Sequence, residues 1–333
     1  MDCLIPDISS LSTLENKSLL EKSRIEGGAF LLPPFSHLRL SGDDSLRYLN
    51  GQITADLRKL SSGNSLPACL LTPKGRLVAF LNIFKQEESF LIEMDCSLQE
   101  VVLERLERYL VTDNVSIEVV TPPKTIHIFG PLAQHPEIQN IPGTLISRIG
   151  FPGKDLVQKF HAELLEKPGS QMDSKIDSLF PSLPSGLLTT LLPADLVEVL
   201  RIEQKIPRWG FELTSETLPP EAGLEIKCID YEKGCYLGQE VISRLKSIGH
   251  VNRLLHGFIS KEIIFPGMEI FSKRDILHSV GIITSVALQN DSGYYVALGY
   301  LRRGAELAST LLAKDANSGA YKNIVMSSNL SFF

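Results

Sequence analysis

From about residue 252 onward, the chain consists of short β-type runs separated by turn residues. Glycine, proline and an Asn-Asp-Ser-Gly turn divide these runs. Such a series is typical of a small β-barrel or sandwich. The predicted strands cover residues 253–260, 269–272, 279–288, 294–302 and 308–313.

The preceding part of the chain mixes helices with β-meanders and lacks regular βαβ alternation, which argues against a doubly wound parallel sheet. Strands are predicted at 36–40, 66–71, 76–84, 89–94, 115–120 and 125–129, and helices at 98–110, 154–167 and 193–204. Ser41 with Asp44, and Ser97 with Glu100, have the spacing of capping boxes. We therefore predict an α+β body over residues 1–250, interrupted by a Pro/Ser-rich loop near 168–188, and a C-terminal β-barrel over 251–333.

Composition excludes several classes of protein. The formal net charge of −6 argues against broad nucleic-acid binding. Five cysteines without a CxxC pair do not make a secreted disulfide framework, and no cysteine or histidine spacing matches a usual metal site. Because no apolar run spans a bilayer and the N-terminus lacks a targeting pattern, we predict a cytoplasmic protein without a metal site or a membrane partner.

The stretch Lys233-Gly234-Cys235-Tyr236-Leu237-Gly238-Gln239-Glu240 offers a candidate reactive atom, the thiol of Cys235. Apolar residues at helical spacing predict a helix from Cys235 to Leu245. A thiol at a helix N-terminus, with Lys233 two residues away, favours the thiolate. The alternative is that Cys235 is a small buried core residue, as many free cysteines are.

Four stretches of the sequence, in this order, resemble the motifs of the YgfZ family of folate-binding proteins, which are related to the aminomethyltransferase of glycine cleavage. The stretches are Leu40-Ser41-Gly42-Asp43 with Tyr48-Leu49-Asn50-Gly51-Gln52-Ile53-Thr54-Ala55-Asp56-Leu57, Leu71-Thr72-Pro73-Lys74-Gly75-Arg76, Leu200-Arg201-Ile202-Glu203 with Ile206-Pro207-Arg208-Trp209-Gly210 and Leu218-Pro219-Pro220-Glu221, and Lys233 to Leu245 followed by Val251-Asn252-Arg253. The resemblance implies an α+β body of two subdomains with antiparallel sheets and a C-terminal barrel, arranged around a central cleft or channel.

The resemblance also implies roles for single residues. Glu203 would accept two parallel hydrogen bonds from the pterin of tetrahydrofolate or a derivative. Arg201 would orient Glu203 or bind the glutamate tail of the folate. Trp209 would stack on the ligand or, alternatively, anchor two domains to each other. Cys235 and Lys233 would form the catalytic pair, and the same motif implies that further cofactor contacts come from Tyr236, Gln239 and Glu240.

The chain departs from the aminomethyltransferases near Glu93-Met94-Asp95-Cys96-Ser97, where no Asn-Ala pair precedes an aspartate. With this departure, the resemblance implies a folate-binding accessory protein that supports assembly or repair of iron–sulfur enzymes, including tRNA-modifying ones. Its expected partners are folate and iron–sulfur proteins or their assembly factors, with no strong direct binding to nucleic acid. The alternatives are a folate-dependent one-carbon transferase and a scaffold in which Cys235 is structural.

Overall fold

A computed structural model describes residues 14–121, 124–139, 144–148, 151–158, 192–289, 293–308 and 310–327. The loop predicted near 168–188 lies outside these residues. The described part of the chain forms two antiparallel sheets, a closed barrel and the helices that cover them.

The first half contributes strands β1 (Gly28–Leu31), β2 (Phe35–Ser41), β3 (Ser65–Leu71), β4 (Leu77–Lys85), β5 (Ser89–Asp95), β6 (Ser116–Val120), β7 (Lys124–Phe129), β8 (Thr144–Arg148) and β9 (Phe151–Gln158). The barrel contains β10 (Arg253–Ser260), β11 (Glu269–Ser272), β12 (Asp275–Gln289), β13 (Tyr294–Arg302), β14 (Leu311–Lys314) and β15 (Tyr321–Met326). The described α-helices are α1 (Leu14–Glu26), α2 (Ser45–Gln52), α3 (Gln99–Glu107), α4 (Pro136–Gln139), α5 (Ala194–Glu203), α6 (Glu225–Cys228) and α7 (Gln239–Ser247).

The larger sheet of the body has the strand order β3-β4-β5-β2-β6 and contains the predicted meander. Gly75 turns the chain between β3 and β4 at a φ of 74°, which suits glycine. Alternate residues of the strands, such as Leu38 and Leu81, bury one face of the sheet against Leu49 of α2 and Leu106 of α3. The strands that the sequence predicts for this sheet are therefore confirmed.

The helix predicted at 154–167 is wrong over its first five residues, since β9 ends at Gln158, and the remainder lies outside the described residues. In the smaller sheet, of order β1-β7-β9-β8, β9 is paired on both sides. A methyl group added to Gly153 of β9 would lie 1.9 Å from the carbonyl oxygen of Ile128, so the strands are closely packed. Asp155 lies opposite His127, and the two side chains form a hydrogen bond of 2.5 Å. The buried carboxylate of Asp155 thus has a polar partner.

Both predicted capping boxes are wrong. Ser41 ends β2, and the carboxylate of Asp44 accepts a hydrogen bond from the backbone of Asn114 at 2.8 Å. Ser97 lies in a short 3-10 turn whose cap is Asp95, which accepts from the Ser97 backbone at 2.9 Å. In each place an aspartate accepts from a backbone N–H outside the predicted box, and the Ser-x-x-acid spacing does not reveal these contacts.

The C-terminal barrel is confirmed. Its six strands close in the order β10-β13-β12-β11-β14-β15, around a core that includes Phe258, Ile270 and Leu301. Three of the predicted strands have the expected bounds, β12 is longer than predicted, and β15 was not predicted. Closure leaves no free sheet edge, which explains how short strands make a stable unit. The boundary at residue 250 stays a prediction.

Helix α5 lies between the smaller sheet and the barrel. Its apolar face, which includes Val199, packs with Phe30 and Phe129 of the sheet and with Val296 and Leu298 of the barrel. The last residue of α5 is Glu203, so this packing fixes the position of one predicted site residue. No helix in the described ranges combines the length and the apolar character that crossing a bilayer requires; the cytoplasmic location stays a prediction.

Candidate functional site

The loop that carries Cys235 is fastened to the body by Lys233. The ammonium of Lys233 donates to the carbonyl oxygens of Asn50, Ile53 and Ala55 at 2.6, 2.7 and 2.7 Å. Burial lowers the pKa of Lys233 to about 8, against the opposing field of the nearby Asp56 carboxylate. Because three acceptors take up its three protons, Lys233 holds the loop in place. Its predicted catalytic role stays a prediction.

Gly238 lets the same loop approach the β3–β4 hairpin closely. It adopts a φ of 85°, and a methyl group added there would lie 2.6 Å from the carbonyl oxygen of Thr72. A methyl group added to Gly75 of the hairpin would lie 3.0 Å from Val241 of α7. Two glycine-containing motifs, far apart in sequence, therefore pack directly on each other.

Cys235 does not lie at a helix N-terminus, so this part of the sequence prediction is wrong. Helix α7 begins at Gln239, after Gly238 has turned the chain. The side chain of Cys235 is exposed, and it is not the buried core residue of the alternative hypothesis. The thiol is thus accessible on a loop whose two ends are fixed, but the helix dipole gives no reason for an activated thiolate. Its reactivity stays a prediction.

Two other cysteines lie beneath this loop. Cys69 of β3 and Cys228 of α6 are fully buried in the cluster that also contains Tyr236. Burial, and the neighbouring Cys69, raise the pKa of the Cys228 thiol well above its ordinary value. Burial likewise raises the pKa of Tyr236, so both groups stay protonated at neutral pH. Among the cysteines that the structure describes, Cys69 and Cys228 are therefore the core residues and Cys235 is not.

Glu203 forms a second, separate feature. Its carboxylate is almost fully buried, with 3% of the side chain exposed. Arg24 of α1 donates to both of its oxygens, from Nε at 3.1 Å and from Nη2 at 2.5 Å. Glu203 thus binds a planar pair of N–H donors, which is the hydrogen-bonding pattern that the sequence interpretation assigned to a pterin.

The guanidinium of Arg201 bonds with carboxylates other than that of Glu203, which it was expected to orient. It donates to both oxygens of Glu198 at 2.8 Å and to Glu212 at 3.0 Å. A buried guanidinium between two carboxylates stays charged, and these neighbours raise its pKa although burial opposes the shift. Arg201 therefore connects α5 to the following loop, and its predicted contact with folate stays a prediction.

The other predicted ligand contacts have different surroundings. Trp209 is half-buried and packs against the cores of the larger sheet and of the Cys235 loop, both of which belong to the body. Glu240 is 85% exposed and pairs with Arg244 at 2.8 Å. Gln239 is half-buried at the first turn of α7, and Tyr236 points into the core. The ligand roles of these residues stay predictions.

The strand end where an aminomethyltransferase-type aspartate was sought carries a buried polar row instead. Glu93 accepts from Asn82 at 3.0 Å and bonds with His37 at 3.2 Å across neighbouring strands. Asp95 caps a 3-10 turn. No group of three or more metal-ligating side chains occurs within the described ranges.

Sequence reasoning missed Arg24 and Glu212. Arg24 bonds with a residue 179 positions away, and no local pattern indicates such a contact. Glu212 is buried and accepts from Arg201, from the Arg208 backbone and from two hydroxyls of the barrel. Glu212 lies next to the Pro-Arg-Trp-Gly segment, which was the one available signal that this loop matters.

Comparisons with known proteins agree with this architecture. No family model matches the chain. A chloroplastic protein of Arabidopsis thaliana that carries a transferase name is 27% identical over 324 residues, covering 88% of this chain and 69% of its own length. The tRNA-modifying protein YgfZ of Photobacterium profundum is 27% identical over 230 residues, covering 69% of each chain.

Aminomethyltransferases are similar as well. That of Bacillus subtilis is 25% identical over 306 residues, covering 84% of this chain and 81% of its own length. The crystal structure of the glycine cleavage aminomethyltransferase of Bartonella henselae superposes with a TM-score of 0.74 and 16% identity, covering 95% of this chain and 89% of that one. This likeness establishes the fold: the α+β body with its C-terminal barrel is that of an aminomethyltransferase.

Proposed function

Since the chain belongs to the YgfZ family, we propose that it is a tetrahydrofolate-binding accessory protein for the assembly or repair of iron–sulfur enzymes, including tRNA-modifying ones. The observation that carries the proposal is the exposed thiol of Cys235 on a loop that Lys233 and Gly238 hold against the body. A fixed, accessible thiol is suited to contact a partner protein or a cluster in transit.

The folate part of the proposal rests on Glu203. Its buried carboxylate already accepts a planar pair of N–H donors, so its chemistry fits the amino-pyrimidine edge of a pterin. Arg201 and Glu212 hold the end of α5 and thereby fix the position of Glu203. A bound reduced folate would supply a carrier for a one-carbon unit.

Calorimetric titration of the protein with tetrahydrofolate tests this part. We expect micromolar binding that Glu203→Gln abolishes, because the amide offers one acceptor and sets its own donors against those of the ligand. Glu118→Gln is the matched control, since that carboxylate is exposed, is not among the predicted ligand contacts, and its loss should leave affinity unchanged. Absence of binding to the unaltered protein would refute the folate proposal.

The thiol part needs a measurement in cells. In a strain that lacks the protein, we expect Cys235→Ala to fail to restore the activity of an iron–sulfur tRNA-modifying enzyme. Cys96→Ala is the matched control because Cys96 is the other exposed cysteine of the described chain. Full restoration by Cys235→Ala would show that the thiol has no such role.

A one-carbon transferase is the second candidate, favoured by the similarity to aminomethyltransferases. It requires an acid or base near the folate nitrogen. The buried Glu93, near the end of β5 and bonded with His37, is the candidate for this group. Transfer of a methylene group from an aminomethyl thioether to tetrahydrofolate, with release of ammonia and the free thiol and no change of oxidation state, would establish this activity. Loss of that turnover in Glu93→Gln would assign the acid.

A further inference from the structure

The contact between Arg24 and Glu203 bears directly on how a ligand reaches Glu203. The two side chains form a fork in which neighbouring guanidinium nitrogens each meet one carboxylate oxygen. Only one edge of a carboxylate presents both oxygens side by side. A ligand that recognises Glu203 through two parallel N–H groups therefore needs the edge that Arg24 occupies.

We propose that Arg24 is an internal competitor for the Glu203 site, and that the site takes ligands with an amidine-like N–C–N edge, which displace the guanidinium. This inference rests on the proposed function, in which Glu203 binds the 2-amino-pyrimidine edge of tetrahydrofolate. A guanidinium and such an edge are both planar and place two N–H donors at similar spacing. Arg24 thus sets the affinity of the site by the hydrogen bonds that a ligand must replace.

Displacement requires the Arg24 side chain to move while α1 stays in place. Leu20 of α1 is fully buried in the core around α5, and the Ser23 hydroxyl donates to the Leu20 carbonyl at 2.8 Å. The Arg24 side chain is 17% exposed, against 3% for Glu203, and the neighbouring Ile25 is 75% exposed. Arg24 is therefore the more exposed partner of the pair, and rotation about its side-chain bonds would bring its charge into water.

The Glu203 carboxylate has a partner both in the free protein and in the ligand-bound protein. With Arg24 in place the buried carboxylate is paired, and with a ligand in place the carboxylate is paired again. The fork keeps Glu203 from being a buried charge without a partner while the site awaits its ligand.

Calorimetric titration with tetrahydrofolate, on variants of the full chain, tests the inference. We expect Arg24→Ala to bind at least about tenfold more tightly than the unaltered protein, because hydrogen bonds to a charged group no longer have to be exchanged. Lys22→Ala is the matched control: it removes a positive charge from the same helix at an exposed side chain that pairs with Glu26, and its affinity should be unchanged. Arg24→Lys, which keeps the charge and loses the fork, should show a smaller gain and serves if Arg24→Ala does not fold.

The outcomes separate the two proposals. Loss of binding in Glu203→Gln together with unchanged or weaker binding in both Arg24 variants would overturn the competition and leave the proposed function standing, with Arg24 as a positioning residue. Absence of tetrahydrofolate binding to every variant would refute the proposed function and this inference together. Tighter binding in Arg24→Ala, lost again in the Arg24→Ala/Glu203→Gln double variant, is the result that supports both.

Discussion

Replacing Glu212 by glutamine should destabilise the whole molecule, because this carboxylate joins the body to the barrel. One oxygen accepts from Arg201 and from the backbone of Arg208, each at 3.0 Å. The other accepts from Thr284 at 2.7 Å and Ser285 at 2.6 Å, both in β12. The side chain is fully buried, so water cannot replace a lost acceptor.

The size of the effect follows from these contacts. Removing one partner of a buried ion pair costs about 3–5 kcal/mol. Arg201 keeps its two bonds to Glu198, and the glutamine oxygen still accepts on one side, so we expect the free energy of unfolding to fall by about 2–3 kcal/mol. Glu212→Leu removes every acceptor of this side chain and should cost more than Glu212→Gln.

Urea unfolding followed by tryptophan fluorescence measures the change, since Trp209 is the only tryptophan and packs between two cores. Glu240→Gln is the control: its ion pair is exposed, and its loss should change stability by less than about 0.5 kcal/mol. An effect of Glu212→Gln as small as the control's, or a Glu212→Leu variant as stable as Glu212→Gln, would refute the reasoning.

Three further predictions concern the Cys235 loop. Gly238→Ala should lower the free energy of unfolding by about 1–3 kcal/mol, because Gly238 has a positive φ and a methyl group there would meet the carbonyl oxygen of Thr72. A methyl group at Gly234 meets no atom within 4 Å, so Gly234→Ala should change this free energy by about 0.5 kcal/mol or less. Equal losses of stability in urea unfolding would contradict the close approach at Gly238. Carbon NMR should show Lys233 titrating near pH 8. Because the unfolded chain keeps this proton up to about pH 10.5, the free energy of unfolding should rise with pH between these two values. A titration midpoint at the ordinary lysine pKa would show that the ammonium is hydrated. A thiol reagent should modify Cys235 in the folded protein and the two buried cysteines only after unfolding, and protection of Cys235 would contradict its exposure.

Local patterns in the sequence predict the barrel and the larger sheet because their strands are short, alternate regularly and are joined by recognisable turns. Residues 154–158 show why other elements escape such patterns. Their leucine and valine fit a helix as well as a strand, and the choice is made by two partner strands, β7 and β8. The tertiary pairing overrides the local preference, and its hydrogen bonds are not visible in the segment itself.

The site was predicted in part for a similar reason. The sequence identifies the loop and its thiol but places the helix start at Cys235, four residues too early. Tyr236 points into the core and Gly238 takes a left-handed conformation, and both depend on contacts with β3 and its hairpin. The partners of Lys233 lie 178 to 183 residues away in sequence, so its anchoring role follows only from the folded chain.

The motif around Cys235 divides into residues that hold the loop and a residue that faces outward. Lys233 binds three carbonyls in the last turn of α2 and just after it, Gly238 fits against the hairpin, and Tyr236 fills the core below. Each of these contacts would be needed whether or not Cys235 reacts, so a defect caused by changing them is not by itself a sign of chemistry. Cys235 is exposed and carries none of this packing, and therefore a loss of function in Cys235→Ala without a loss of stability would assign the chemistry to the thiol.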